Sequence, residues 1–284
     1  MSTSAAAGRA SPPRHALNVG FVWHDHTGPF RVVSSEQAEQ YDELGYFVLE
    51  GALAREEVDE LLAEIDPFEH RQEEALRQME GGRFFIARAD EITFTTHLVV
   101  RSPRLRRFTS SALLAGVCAD LVGPDVRLYW DQAVYKKPGT ESPFPWHQDN
   151  GYAFVEPQQY LTCWVALTDA TEENGCPWVV PGLHRSGTLA HEYSDIGFVC
   201  LREPAEAVPV PAAAGSIVVF SSLTPHSTGP NRTGDVRKAY IVQFAPDGAE
   251  VIRPEPGGAP GPRVPADEES RQYVVVRGGE PVAP

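Results

Sequence analysis

From Val126 to about Phe244 the chain is a succession of short runs rich in Val, Ile, Tyr, Trp and Phe, among them RLYWDQAVYK, LTCWVALTDA, SIVVFSS and RKAYIVQFA. Pro, Gly and Asn turn residues separate them, so the runs read as strands of a sandwich or barrel. The first 120 residues are different. Ser34 followed three residues later by Gln37 has the spacing of a capping box, a helix through Glu36 to Leu44 follows, and Gly45 stops it. YFVLEG (46–51) reads as a strand. From Ala54 to Ile65, Val58, Leu61, Leu62 and Ile65 recur on one helical face, and further helical patterns lie near Glu73–Gln78 and Pro103–Val122. The expected organisation is an irregular segment over 1–30 and a single domain over 31–247, helical to about 122 with a barrel core from about 126. A Pro/Gly-rich tail, 248–284, follows, in which QYVVVRGG (272–279) reads either as an edge strand or as a poorly ordered end.

Charge and composition narrow the partners. A formal net charge of -15, from 39 acidic and 24 basic residues, argues against nucleic acid or an anionic membrane surface, both of which need clustered Lys and Arg. A small-molecule partner is favoured instead. The opening MSTSAAAGRASPPRHALN lacks the apolar core of a signal peptide, and no apolar run approaches the length of a membrane span. Cys118, Cys163, Cys176 and Cys200 are widely spaced, with no CxxC pair, and read as free thiols of a cytoplasmic protein. Nothing in the sequence bears on oligomeric state.

The segment WHQDNGY, Trp146 to Tyr152, places His147 and Asp149 two residues apart. On a strand such residues project from the same face, so an imidazole and a carboxylate can reach one metal ion. By itself the pair carries little weight, because a chain with nine His and 39 acids contains about one His-x-acid triplet by chance. The segment Thr224 to Phe244 adds a third candidate, His226, beside a turn, and then Arg237 in an apolar strand with Val236, Ala239 and Ile241. Two imidazoles and one carboxylate make the facial triad of non-haem iron(II) oxygenases, although zinc sites use similar ligands. Arg237 needs an anion if it is buried: a dicarboxylate co-substrate or one of the protein's own acids.

Four segments in order, DQAVYKKPG, WHQDNGY, CWVALTDATEENGCPWVVPGLHRSG and HSTGPNRTGDVRKAY, resemble the phytanoyl-CoA dioxygenase family of iron(II)/2-oxoglutarate oxygenases, a likeness spanning Asp131 to Phe244. The resemblance implies a mainly β fold with flanking helices, a double-stranded β-helix or cupin-like jelly-roll barrel with the metal inside one end. It assigns His147, Asp149 and His226 to iron(II) and Arg237 to the distal carboxylate of 2-oxoglutarate. Thr228, Lys137 and Trp164 complete the co-substrate pocket, with Lys136 replacing Lys137 after a one-residue slip of the strand. It also implies dioxygen as co-substrate and oxygenation over halogenation, since halogenating relatives carry a small residue where Asp149 stands.

Tyr152, Gln132, Trp178 and Phe220 are candidates for the substrate pocket, against the plainer alternative that these side chains only fill the barrel. His184 and His191 read as surface or supporting residues, while His24 and His26 share a face but lack a carboxylate or Arg context. Three activities are consistent with this pattern: hydroxylation of an unactivated C–H bond in a small metabolite or natural-product intermediate; desaturation, epoxidation, cyclisation or epimerisation by the same cofactors; or metal binding without catalysis. The absence of a basic cluster near the motifs weighs against an acyl-CoA.

Overall fold

The computed structural model describes residues 11–254 and 259–283. Residues 1–10 of the expected N-terminal segment, and 255–258 and 284 of the tail, lie outside the described residues. The predicted capping box is present at the first helix, Ser35–Leu44: Gln37 N donates to Ser34 Oγ at 3.1 Å and Ser34 N to Gln37 Oε1 at 2.9 Å. Gly45, at φ 87, ends it. The two helical patterns expected around Ala54–Ile65 and Glu73–Gln78 are one helix, Arg55–Arg77, which runs through Pro67 although a proline has no N–H to give the ladder. The pattern over Pro103–Val122 divides instead into Pro103–Thr109 and Ala112–Leu121, because Ser102 and Ser111 each cap a new start.

Strands pair into a large antiparallel sheet in the order Tyr46–Leu49, Ile217–Ser221, Leu161–Ala166, Arg237–Pro246, Val126–Lys136 and Ile92–Thr96, extended by the hairpin Arg83–Arg88. A smaller sheet runs Val208–Pro209, Pro177–Val179, His226–Thr228 and Phe144–His147. One face of the large sheet, with Cys163, Val165, Val219, Tyr240 and Val242, packs on the helices through Leu61, Ile65 and Leu114. Its other face meets the small sheet around Trp164, Val218, Phe220, Ile241 and Val179. Two facing antiparallel sheets of this kind form a jelly roll. The tail is more structured than its composition suggests. Val274–Arg277 pairs with the start of Val126–Lys136, and Glu250–Pro254 pairs with Phe154–Glu156. Among the described residues no helix is long and apolar enough to cross a membrane.

Candidate active site

The interior between the sheets holds the polar residues picked out by the sequence. His147 ends one strand of the small sheet, His226 begins its neighbour, and the two are cross-strand partners with ring centroids 4.1 Å apart. The chain leaves the strand at His147, and Asp149 starts a short turn, Asp149–Gly151, so the two predicted ligands do not share a strand. Their common direction survives because Gln148 between them is itself extended, with φ -108 and ψ 145. One ligand atom from each of His147, Asp149 and His226 lies within 4.8 Å of the others. Asp149 Oδ1 stands 3.9 Å from His147 Nε2 and 3.8 Å from His226 Nε2, beyond hydrogen-bond reach, so the three are gathered without bonding one another.

Each imidazole is oriented by its own chain. His147 Nδ1 donates to Pro145 O at 2.8 Å and His226 Nδ1 to Thr224 O at 3.0 Å. A carbonyl only accepts, so both Nδ1 atoms carry a proton and it is the Nε2 atoms that are turned towards Asp149. Burial, reinforced by His226, holds His147 well below the usual histidine range and so in its neutral, metal-binding form. Thr162 Oγ1 donates to Asp149 Oδ2 at 2.6 Å, which turns Oδ1 to the histidines.

Apart from His191, the turn is braced by residues the sequence did not single out. Gln148, fully buried, donates from Nε2 to Leu223 O and Gly187 O and accepts from Leu189 N. Its backbone N–H donates to His191 Nε2 at 2.9 Å. Asn150 accepts from Val155 N and donates to Thr188 Oγ1. His191 is thus a support of the turn, whereas His184 is fully buried under Trp23 and holds Asp42 O. His26 pairs with Asp42 at 2.6 Å, away from the triad.

Arg237 and Lys136 face each other across two strands of the large sheet. Arg237 is 1% exposed, and none of its three guanidinium nitrogens has a hydrogen-bond partner. The alternative of an internal acid as its counter-ion is therefore not met among the described residues. Its guanidinium lies 5.3 Å from the Trp164 ring. Lys136 Nζ donates to Thr228 Oγ1 and Thr228 O, both at 3.2 Å, and to Gly229 O. Burial pushes Arg237 down to about 10, and burial together with Arg237 pushes Lys136 down to about 6.

Lys137 does not join them, which corrects the expected pocket. Its neighbour Lys136 takes the inward direction, and pleat parity sends Lys137 out to Glu69 and Glu73 on the long helix. Trp178 is a second correction. It pairs with Ser227, whereas His226 pairs with Val179, so Trp178 lies on the opposite face and lines an outer cleft with Trp146. Phe220 does face inward, 4.6 Å from the His226 ring, and Tyr152 sets its edge on His147 at 5.3 Å. Gln132 shares the inner face with Ile241 and Trp164 and accepts a hydrogen bond from Trp130 Nε1 at 3.2 Å.

Residues 41–239 match the phytanoyl-CoA dioxygenase (PhyH) family. The chain belongs to that family. This oxygenase is 30% identical over 226 residues to the ectoine dioxygenase of Bordetella parapertussis, a match covering 70% of this chain and 71% of that protein. It is 24% identical over 282 residues to phytanoyl-CoA dioxygenase domain-containing protein 1 of Bos taurus, covering 82% of this chain and 97% of that one. Its fold superposes with a TM-score of 0.62 on the epimerase SnoN in complex with Fe3+, alpha ketoglutarate and nogalamycin RO, at 25% identity, covering 80% of this chain and 94% of that one. The chain is accordingly an iron- and 2-oxoglutarate-dependent oxygenase that consumes dioxygen. The two imidazoles with Nε2 turned to one carboxylate, and the bare guanidinium, suit both groups.

Proposed function

We propose that this oxygenase hydroxylates an unactivated C–H bond of a small organic molecule, with 2-oxoglutarate decarboxylated to succinate. The observation that carries the reading is Arg237, buried beside Lys136 with its guanidinium unpaired. A buried cation without a counter-ion is costly, and a dicarboxylate would supply the missing partner through two parallel charged hydrogen bonds. In this reading His147 Nε2, His226 Nε2 and Asp149 Oδ1 would hold iron(II). Arg237 grips the distal carboxylate. Because Lys136 donates to Thr228 Oγ1, the hydroxyl proton of Thr228 is free to point at the same carboxylate.

Bound iron(II) with 2-oxoglutarate would let dioxygen act as the oxidant, one of its oxygen atoms entering succinate as carbon dioxide leaves and the other entering the C–H bond. The remaining work belongs to the chain. Thr162 keeps the Asp149 carboxylate from turning, and Phe220 and Tyr152 wall the histidines with aromatic surface that keeps water away. The carboxylate at position 149 favours oxygenation over halogenation, since it occupies the place a halide would need. Likeness to SnoN supports a second outcome, epimerisation. A product one oxygen heavier than the substrate marks hydroxylation; unchanged mass marks epimerisation. Iron(II)-dependent succinate formation is expected to fall at least 100-fold in Asp149→Ala. Undiminished turnover in that variant would remove the triad from the reaction.

A further inference from the structure

Two hairpins meet beside the metal ligands. Arg83–Arg88 extends the free edge of the large sheet, and Glu192–Val199 lies along the outer strand of the small one, tied to it by Cys200 N donating to Trp146 O at 2.8 Å. Arg83 and Arg88 reach across and donate to the carbonyl oxygen of Asp195 in the second hairpin's turn. The surfaces that face each other are aromatic. Phe85 and Tyr193 lie nearly parallel, with 11° between their planes and 6.3 Å between centroids, and they are 45% and 62% exposed. Beneath them Phe198 contacts Tyr193 at 5.5 Å and Tyr152 at 5.2 Å. Phe85 also meets Tyr152 edge-on at 6.5 Å, and Tyr152 meets His147 at 5.3 Å. An unbroken run of rings therefore leads from solvent to a metal ligand.

Phe85 is costly to the free protein in two ways. It stands at the first position of a two-residue hairpin turn with φ 51, the left-handed region where a side chain is strained and Gly, Asn or Asp is the usual choice. It also exposes its ring to water, as does Phe84, 62% exposed, beside it. Strain and exposed apolar surface of this kind persist where binding requires the side chain. The second hairpin is pressed down on the inner rings: at Gly197, φ 126, an added Cβ would stand 2.7 Å from Tyr152 Oη and 3.3 Å from Ile86.

We propose that the two hairpins form the substrate-binding lip, and that the substrate has a flat, extended apolar face, a fused-ring or aryl-bearing molecule, laid against Phe85 and Tyr193. Its reacting carbon reaches past Tyr152 to the metal. The inference rests on the oxygenase reading above and names its substrate class. A docked protein would give the rings no reason to continue inward to His147, and a small polar metabolite would give the exposed rings no use.

The test is a titration of the protein, loaded with Mn(II) and 2-oxoglutarate without oxygen, with the planar fluorescent probe 9-anthracenemethanol. Saturable binding by fluorescence anisotropy is expected, weakened at least tenfold in Phe85→Asn combined with Tyr193→Ser. Asn suits the left-handed turn, so this variant should melt no lower than the native protein. Its affinity for 2-oxoglutarate should move less than twofold. Unchanged probe affinity in the double variant, or no saturable binding by the native protein, overturns the proposal. Failure of the native protein to bind 2-oxoglutarate would instead overturn the oxygenase reading, so the two failures are distinguishable.

Discussion

Arg237 and Lys136 stand on two long strands, 10 and 11 residues, that pair along nearly their whole length, whereas His147, Asp149 and His226 stand on strands of four and three residues and one turn. At the cation end the pleat decides direction. Moving one residue along the chain turns a side chain from the interior to the helix side, as Lys136 and Lys137 show. At the metal end no long ladder exists, and direction is held by individual hydrogen bonds: Gln148 to Leu223 and Gly187, Asn150 to Val155 and Thr188, and Thr162 to Asp149. The difference teaches that one half of the site is set by sheet register and the other by buried polar braces. A substitution should therefore injure one half and spare the other.

The largest separation is expected from Arg237→Met. Loss of a bidentate charged contact is worth about 3 kcal/mol, so affinity for 2-oxoglutarate should fall about 100-fold or more. Metal affinity should hold, and the melting temperature should not drop, because the change removes an unpaired buried cation. Anaerobic titration of the iron(II)–2-oxoglutarate charge-transfer band, set beside Mn(II) binding, reads both. A loss under threefold would break the assignment of this end to the co-substrate.

Gln148→Leu attacks the other end. Leu fills the volume but leaves Leu223 O, Gly187 O and Leu189 N without their buried partner, each at a cost of about 1–3 kcal/mol. Metal affinity should weaken about 10-fold to 100-fold, as when other supports of metal ligands are removed. The shape of the 2-oxoglutarate saturation curve at full metal loading should stay as it was. Mn(II) competition titration checks this, and equal losses of both affinities would merge the two halves into one cooperative unit.

The smallest effect is a proton. Burial and Arg237 push Lys136 down to about 6, so near pH 7.5 it is mostly neutral in the free protein. A dicarboxylate beside it favours the charged form, so binding takes up a proton, and affinity for 2-oxoglutarate declines by a few-fold as pH rises from about 6 to about 8. Calorimetry in buffers of different ionisation enthalpy measures the uptake. Lys136→Met should abolish it and Lys137→Met should preserve it; the reverse pattern would undo the strand register argued here.

Much of this was legible before any coordinates. The β-rich texture after Val126 announced a sandwich or barrel, Ser34 with Gln37 announced the first helix, and the four ordered segments carrying His147, Asp149, His226 and Arg237 announced, through a family resemblance, an iron and dicarboxylate site. These are local signals: periodicity, capping chemistry and residue types that are costly to bury without partners. Whether Lys136 or Lys137 enters the pocket, and which face carries Trp178, depends on the partner strand, because a side-chain period of two makes direction hinge on a single step of register. The braces are invisible in sequence for a related reason. Gln148 meets Leu223 across 75 positions and Thr162 meets Asp149 across 13, and a glutamine or threonine has no local pattern that marks it as a support. The sequence by itself singled out the groups proposed to hold the metal and the co-substrate. Only the tertiary structure decided which neighbours aim them, since those partners are brought together by sheet pairing and chain packing.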